Sequence, residues 1–160
     1  MLEVDVVRIS VIVPIYNVKL YIERCVRSLM EQTLENIEFI FVNDCTPDDS
    51  MDILHYVLEE YPKRREQIKI IEHETNRGIS AVRNTGLKNA TGQYIIYCDS
   101  DDWVEKNMYE KLLVKALETS ADIVGCDFFD DYVAHSTIRK QLFPQQSEKC
   151  VKKMLRVELH

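Results

Sequence analysis

Short apolar runs alternate with stretches of helical periodicity along most of this chain. Residues 9–15 (Ile-Ser-Val-Ile-Val-Pro-Ile) are rich in β-branched side chains and almost continuously apolar, as expected of a strand covered on both faces. Pro14 has no N–H to give a ladder, so the strand is expected to end there. Asn17 reads as a helix cap, and Leu20, Ile22, Cys25, Val26, Leu29 and Met30 then recur at helical spacing. Residues 37–42 predict a second strand, and Thr46-Pro47-Asp48-Asp49 a helix start with proline at the first position. Residues 68–71 and 93–98 predict two further strands, separated by the turn Asn76-Arg77-Gly78 and a helix over 79–90. A helix over 106–119 and a fifth strand over 122–128 follow. Strand followed by helix, four times over, predicts an α/β fold: a mostly parallel, Rossmann-like sheet flanked by helices. Past residue 129 the pattern weakens, to an irregular segment over 130–146 and a short basic helix over 147–157.

With 160 residues, 46% of them hydrophobic and 29% charged, the chain is long enough for one packed core and carries no sign of a repeat or a fibrous pattern. A net charge of -7 argues against a nucleic-acid partner, whose phosphates it would repel. No apolar run approaches the roughly 20 residues of a membrane span, and no basic-then-apolar leader is seen. The expectation is a cytoplasmic protein without a transmembrane segment, which leaves room for peripheral membrane association of a longer protein. The five cysteines form no Cys-x-x-Cys pair and read as reduced, partly buried small side chains. The four histidines, His55, His73, His135 and His160, lack metal-ligand spacing and read as surface or boundary positions.

The chemistry concentrates behind the fourth strand, where Asp99, Asp101 and Asp102 crowd into four residues. Such a run is compatible with a solvated turn. It also lies where an open α/β sheet keeps its ligand crevice, at the carboxyl ends of the strands. Oxygen ligands of this kind suit Mg²⁺ or Mn²⁺, which bind one or two carboxylates and take substrate phosphates as further ligands. Neither a Gly-x-Gly-x-x-Gly turn nor a Gly-x-x-x-x-Gly-Lys-Ser/Thr loop is present, and four glycines in all leave little scope for backbone wrapping of phosphates. A bridging cation would supply what the backbone does not.

Four segments together, Ser10 to Asn17, Val42 to Ser50, Asn76-Arg77-Gly78 with Ala81-Val82-Arg83-Asn84-Thr85-Gly86, and Asp99-Ser100-Asp101-Asp102, resemble the family 2 glycosyltransferases of the GT-A fold. The resemblance covers roughly residues 8–130, a nucleotide-sugar-binding domain, with 131–160 an extension or the start of an acceptor half. It implies an inverting transferase that moves a sugar from a UDP-linked donor to a saccharide or lipid-linked acceptor hydroxyl, with Mn²⁺ or Mg²⁺, in the synthesis of cell-surface or extracellular polysaccharide. Carried over by position, Pro14 and Tyr16 would line the base pocket, Tyr16 by stacking, and Asp44 would accept the N3 proton of uracil. Asn43 stands where the family more often has aspartate, and its role stays open between ligand contact and turn residue. Gly78 would allow backbone approach or a positive φ, Asp99 would touch ribose or the sugar, and Asp101 would ligate the metal with Asp99 beside it. Asp102 is a lesser candidate or a helix-capping acid, Arg83 a diphosphate contact or a surface ion pair, and Trp103 a sugar-side wall or a core-edge aromatic.

The match stops short of the general base that an inverting transfer requires. Asp127, Asp130 and Asp131 follow the fifth strand too closely to be identified with it, so the catalytic residue is unknown and the fold is expected to be truncated. Two alternatives stand beside the transferase: a non-catalytic nucleotide-binding module, and a metal-dependent nucleotidyltransferase.

Overall fold

A computed structural model of the chain describes residues 8–132 and 135–141. The basic helix expected over 147–157 lies outside the described residues. The chain divides into two compact units between Leu113 and Val114.

The first unit is built on a four-stranded sheet of order β3-β2-β1-β4, with β1 Ile9–Ile15, β2 Ile37–Asn43, β3 Ile68–Glu72 and β4 Tyr94–Tyr97. Every neighbouring pair is parallel, in a register that sets Val11 beside Phe39 and Ile96. Helices α1 (Ile22–Met30), α2 (Ser50–Glu59) and α3 (Ile79–Asn89) form the connections. The odd-numbered side chains of β1, Ile9, Val11, Val13 and Ile15, pack with Phe39 and Phe41 against Cys25, Val26 and Leu29 of α1 and Leu54 and Val57 of α2. The even-numbered Ile12, with Ile40 and Val42, packs against Val82 of α3. Both faces are therefore covered, which is why the central strands read as nearly continuous apolar runs.

Gly86 lets α3 lie close, since a Cβ there would come within 2.3 Å of Ile12 Cγ2. Arg27 ties α1 to α2 through two bonds to Glu60, at 2.8 and 2.9 Å. Arg64 is buried beneath the end of α1, where it donates to the carbonyls of Met30, Gln32 and Leu34.

The strand order reverses at β1, since β2 and β3 are laid down on one side of it and β4 on the other. In open α/β sheets such a switch point opens a crevice at the carboxyl ends of the strands. The loops after β1 and β4 flank it.

Several boundaries differ from the sequence reading for identifiable reasons. Pro14 lies inside β1, paired in register with Val42. The carbonyls of Arg8 and Ile12 face β4 and that of Ile15 faces β2, so Pro14 turns its missing N–H toward β4, beyond the last pair at Ile12. The caps move as well: α1 begins at Ile22 rather than after Asn17, leaving Leu20 81% exposed, and α2 begins at Ser50.

Helix α4 (Met108–Thr119) leads out of the first unit. In the second, residues 121–127 are irregular, and the strand expected over 122–128 instead starts at Phe128. The branched pair Ile123-Val124 is cut off by Gly125, and Ile123 is exposed. β5 (Phe128–Tyr132) pairs antiparallel with β6 (His135–Arg139) in a segment expected to be irregular, setting Phe129 opposite Ile138.

Candidate functional site

Three loops leave the carboxyl edge of the sheet, and side chains rather than glycines fix their shapes. After β1, Asn17 takes a left-handed φ of 55°, and its N–H donates to Thr46 Oγ1 at 2.8 Å. The Lys19 N–H donates to Asp48 Oδ2 and the Val18 N–H to Ser50 Oγ. Asp48 also accepts from the hydroxyls of Thr46 and Ser50. Burial alone would raise its carboxyl, but these donors bring it down to about 2. Thr46-Pro47-Asp48 is therefore a brace for the first loop, which leaves Tyr16 half exposed at 48%.

After β2, Asn43 Oδ1 accepts from the Thr46 N–H at 2.9 Å and closes the turn, so the residue that departs from the family pattern has a structural partner. Asp44 is buried, and its N–H donates to the Ile15 carbonyl. Its Oδ1 accepts from the Arg77 N–H at 2.9 Å and from His73 Nδ1 at 2.7 Å, and Oδ2 accepts from the Gly78 N–H at 2.8 Å. Burial acts to raise this carboxyl, and the donors outweigh it and hold it below the usual range. Gly78 precedes α3 with φ 81° and ψ 162°, a conformation that favours glycine. The turn Asn76-Arg77-Gly78 is thus folded around Asp44.

After β4, the third loop is fastened from behind. The thiols of Cys25 and Cys98 both reach the Asp99 carbonyl, at 3.8 and 3.7 Å. The contact with Cys98, then burial, holds the Cys25 thiol well above its ordinary value, so Cys25 is an inert packing group. The end of α1 clamps the chain beyond: Ser28 Oγ accepts from the Val104 N–H, and Gln32 bonds the Glu105 carbonyl and the Tyr109 N–H. Asp99 and Asp101 stay exposed. Asp99 Oδ1 accepts from Arg83 Nη2 at 2.9 Å, and the Arg83 guanidinium lies 5.4 Å from the ring centroid of Tyr97. Arg83 Nε is enclosed without a hydrogen-bond partner among the described residues. Arg24 stacks over Trp103 at 4.4 Å.

The arrangement suits a hard divalent cation. Partial burial, then the charges of Asp101 and Asp99, raise the Asp102 carboxyl, so the loop is short of positive charge. Among the described residues no three His, Cys, Asp or Glu side chains converge as a complete metal cage. Asp99 and Asp101 would hold such an ion only with further oxygen ligands from a substrate, as a diphosphate provides.

Of the residues predicted for the site, the structure links Asp44 directly to Gly78, and Asp99 to Arg83. Pro14, Tyr16 and Asp101 lie on the same edge, at the end of β1, after β1 and after β4. Sequence reasoning missed His73, whose side chain is only 5% exposed, together with Thr85 and Tyr97. Asp127 accepts from the Gln141 N–H and Asp130 from Arg139, both within the second unit. Cys25 and Cys98 are buried, whereas Cys45 and Cys126 are exposed, against the expectation that the cysteines are partly buried.

A parallel α/β sheet with an acidic loop at its switch point is the GT-A architecture of nucleotide-sugar transferases, and solved structures agree. Staphylococcus aureus TarS 1-349 in complex with UDP superposes with a TM-score of 0.63 at 32% identity, over 72% of this chain and 33% of that one. The mannosyltransferase PcManGT from Pyrobaculum calidifontis, in complex with GDP-Man and Mn²⁺, gives 0.61 at 26% identity, over 72% of this chain and 32% of that one. Residues 10–158 match the model of glycosyl transferase family 2, and the chain belongs to that family. Glycosyltransferase EpsJ of Bacillus subtilis (strain 168) is 45% identical over 140 residues, 88% of this chain and 38% of EpsJ. Glycosyltransferase GlyA of Streptococcus pneumoniae (strain TIGR4) is 43% identical over 122 residues, 76% of this chain and 17% of GlyA. The chain thus spans well under half of these relatives. No helix among the described residues is long and apolar enough to cross a membrane.

Proposed function

We propose that residues 8–130 form the donor-binding half of an inverting glycosyltransferase that uses a nucleoside diphosphate sugar and a divalent cation, with 131–160 leading toward an acceptor half. The carrying observation is the pairing, on one sheet edge, of a buried, ionised Asp44 with an exposed Asp99 and Asp101. In this reading Pro14 and Tyr16 wall the base pocket, and Tyr16 stacks on the base. Asp44 accepts the base N–H. A carboxylate offers about four acceptor sites, and three are taken by Arg77, His73 and Gly78, which leaves one on Oδ2.

An imide N–H, as on uracil N3, fits that single site, whereas cytosine turns an acceptor toward it. Asp99 contacts ribose or sugar and, with Asp101, holds Mn²⁺ or Mg²⁺, which neutralises the diphosphate leaving group. Arg83, with its guanidinium already at the site, is placed for the same phosphates. UDP is the favoured donor nucleotide, in line with the UDP held by TarS. Guanine N1–H offers the same chemistry, in line with the GDP-Man held by PcManGT. The acceptor is a saccharide or lipid-linked hydroxyl, the setting cytoplasmic polysaccharide synthesis.

Calorimetric titration with UDP tests this, in Mn²⁺ and in EDTA. Binding should be tighter with Mn²⁺, and Asp101→Asn should abolish that gain while leaving the melting temperature unchanged or raised, since a like charge is removed from the loop. UDP binding that ignores both metal and substitution would overturn the metal assignment.

A further inference from the structure

His73 lies between the second loop and α3 as a bridge. Its N–H donates to the Asn43 carbonyl at 2.9 Å, which fixes the main chain at the end of β2. Its ring is nearly enclosed, with Nδ1 at 2.7 Å from Asp44 Oδ1 and Nε2 at 2.9 Å from Thr85 Oγ1. A carboxylate has only acceptors, so the hydrogen sits on Nδ1 and points at Asp44. In the neutral ring Nε2 then accepts from the Thr85 hydroxyl, and α3 sets the tilt of the imidazole.

We propose that His73 is a positioning residue for base selection: with the Arg77 N–H it occupies Oδ1 of Asp44, so that only Oδ2, shared with the Gly78 N–H, keeps an acceptor site for a nucleobase imide N–H. This rests on the reading of Asp44 given under Proposed function. Without the imidazole donor, Oδ1 regains an open site and the carboxylate is free to turn. A second open acceptor admits an exocyclic amino group, such as cytosine N4, beside or instead of the imide N–H. The consequence is lost discrimination between bases rather than uniformly weakened binding.

The experiment compares UDP and CDP affinities, with Mn²⁺, for the parent chain, His73→Asn and His73→Gln. An asparagine amide reaches the place of Nδ1 and keeps the donor to Asp44, whereas a glutamine amide reaches the place of Nε2 and abandons it. The UDP-to-CDP affinity ratio should fall about tenfold in His73→Gln and stay within about threefold of the parent in His73→Asn. A purely structural role would weaken both nucleotides together or affect both variants alike, and either result overturns the proposal.

Asp44→Asn separates the two layers of the inference. If it keeps the parent's ratio, or if the parent shows none, the base-reading role of Asp44 fails and this proposal with it. If Asp44→Asn loses the ratio while His73→Gln keeps it, the role of His73 alone fails. Long-range proton–nitrogen spectra of the parent chain give a readout that needs neither nucleotide nor variant. They should show the Nδ1–H tautomer at His73, and an Nε2–H tautomer overturns the proposal.

Discussion

At the scale of single residues, the site is shaped by a few groups whose conformations the surroundings over-determine. Gly78 shows this best. Its φ of 81° with ψ 162° belongs to a region nearly closed to other residues, yet a Cβ there would meet nothing within 4 Å. Substituting alanine therefore tests backbone strain without a clash. Gly78→Ala should destabilise the fold by about 1–3 kcal/mol. Because the Gly78 N–H is one of the three donors to Asp44, it should also weaken UDP binding. A lower urea midpoint at an unchanged slope, with a raised Kd for UDP, is the expected pair of results. An unchanged midpoint would mean that the turn relaxes freely. Gly86 is the opposite case: it lies within α3, and the obstacle to a Cβ is Ile12 Cγ2 at 2.3 Å. One glycine serves a loop conformation and the other a close approach of helix to sheet, and the letter Gly does not say which.

At the scale of elements, the apolar runs revealed four parallel strands and the helices between them, because burial on both faces writes itself into local sequence. What the runs concealed is polar. Glu38 lies within β2 and is buried, with Ser10 and Thr91 donating to Oε1 and Lys69 at 2.7 Å from Oε2. Burial would raise this carboxyl, but the donors, Lys69 foremost, bring it from an ordinary 4.5 down to about 2. Nothing near Glu38 in sequence announces partners 28 to 53 residues away. The same holds for Arg64 beneath the end of α1 and for His73 against Asp44, since each depends on a tertiary neighbour. The acidic loop was legible because its carboxylates are adjacent in sequence, whereas the closing of the predicted turn Asn76-Arg77-Gly78 around Asp44 was not, because the donors to Asp44 lie 29 to 34 residues away. Glu38 and Asp48 both have folded values below their ordinary ones. Their contribution is thus complete above the ordinary carboxylate range and lost as pH falls from about 4.5 toward about 2. Thermal melts over that window should show Tm falling steadily. Glu38→Gln should lower Tm at neutral pH and flatten the acid slope, and an identical slope in the variant would remove Glu38 from this account.

At the scale of the whole molecule, the groups proposed for the donor side all belong to the first unit, and the chain spans 38% of EpsJ and 33% of the TarS 1-349 chain. An inverting transfer needs more than a donor site. The acceptor hydroxyl must lose its proton as it attacks the anomeric carbon, and a general base contributes about 10² to 10⁴ in rate. Walls that hold the acceptor in line contribute a further positioning effect, of about 7–11 kcal/mol at best. Within the second unit, the carboxylates of Asp127 and Asp130 are engaged by Gln141 and Arg139, so neither is presented as a free base. The 160 residues tested alone should therefore bind UDP with Mn²⁺ yet transfer sugar to saccharide acceptors poorly or not at all. Slow donor hydrolysis is the activity expected to survive, because water needs no acceptor walls. Incubation with UDP-sugars, Mn²⁺ and a panel of acceptor saccharides, following UDP release and product mass, separates the outcomes. Efficient transfer to any acceptor would show that the base lies within this chain, and alanine substitution of Asp127, Asp130 and Asp131 would then be the way to find it.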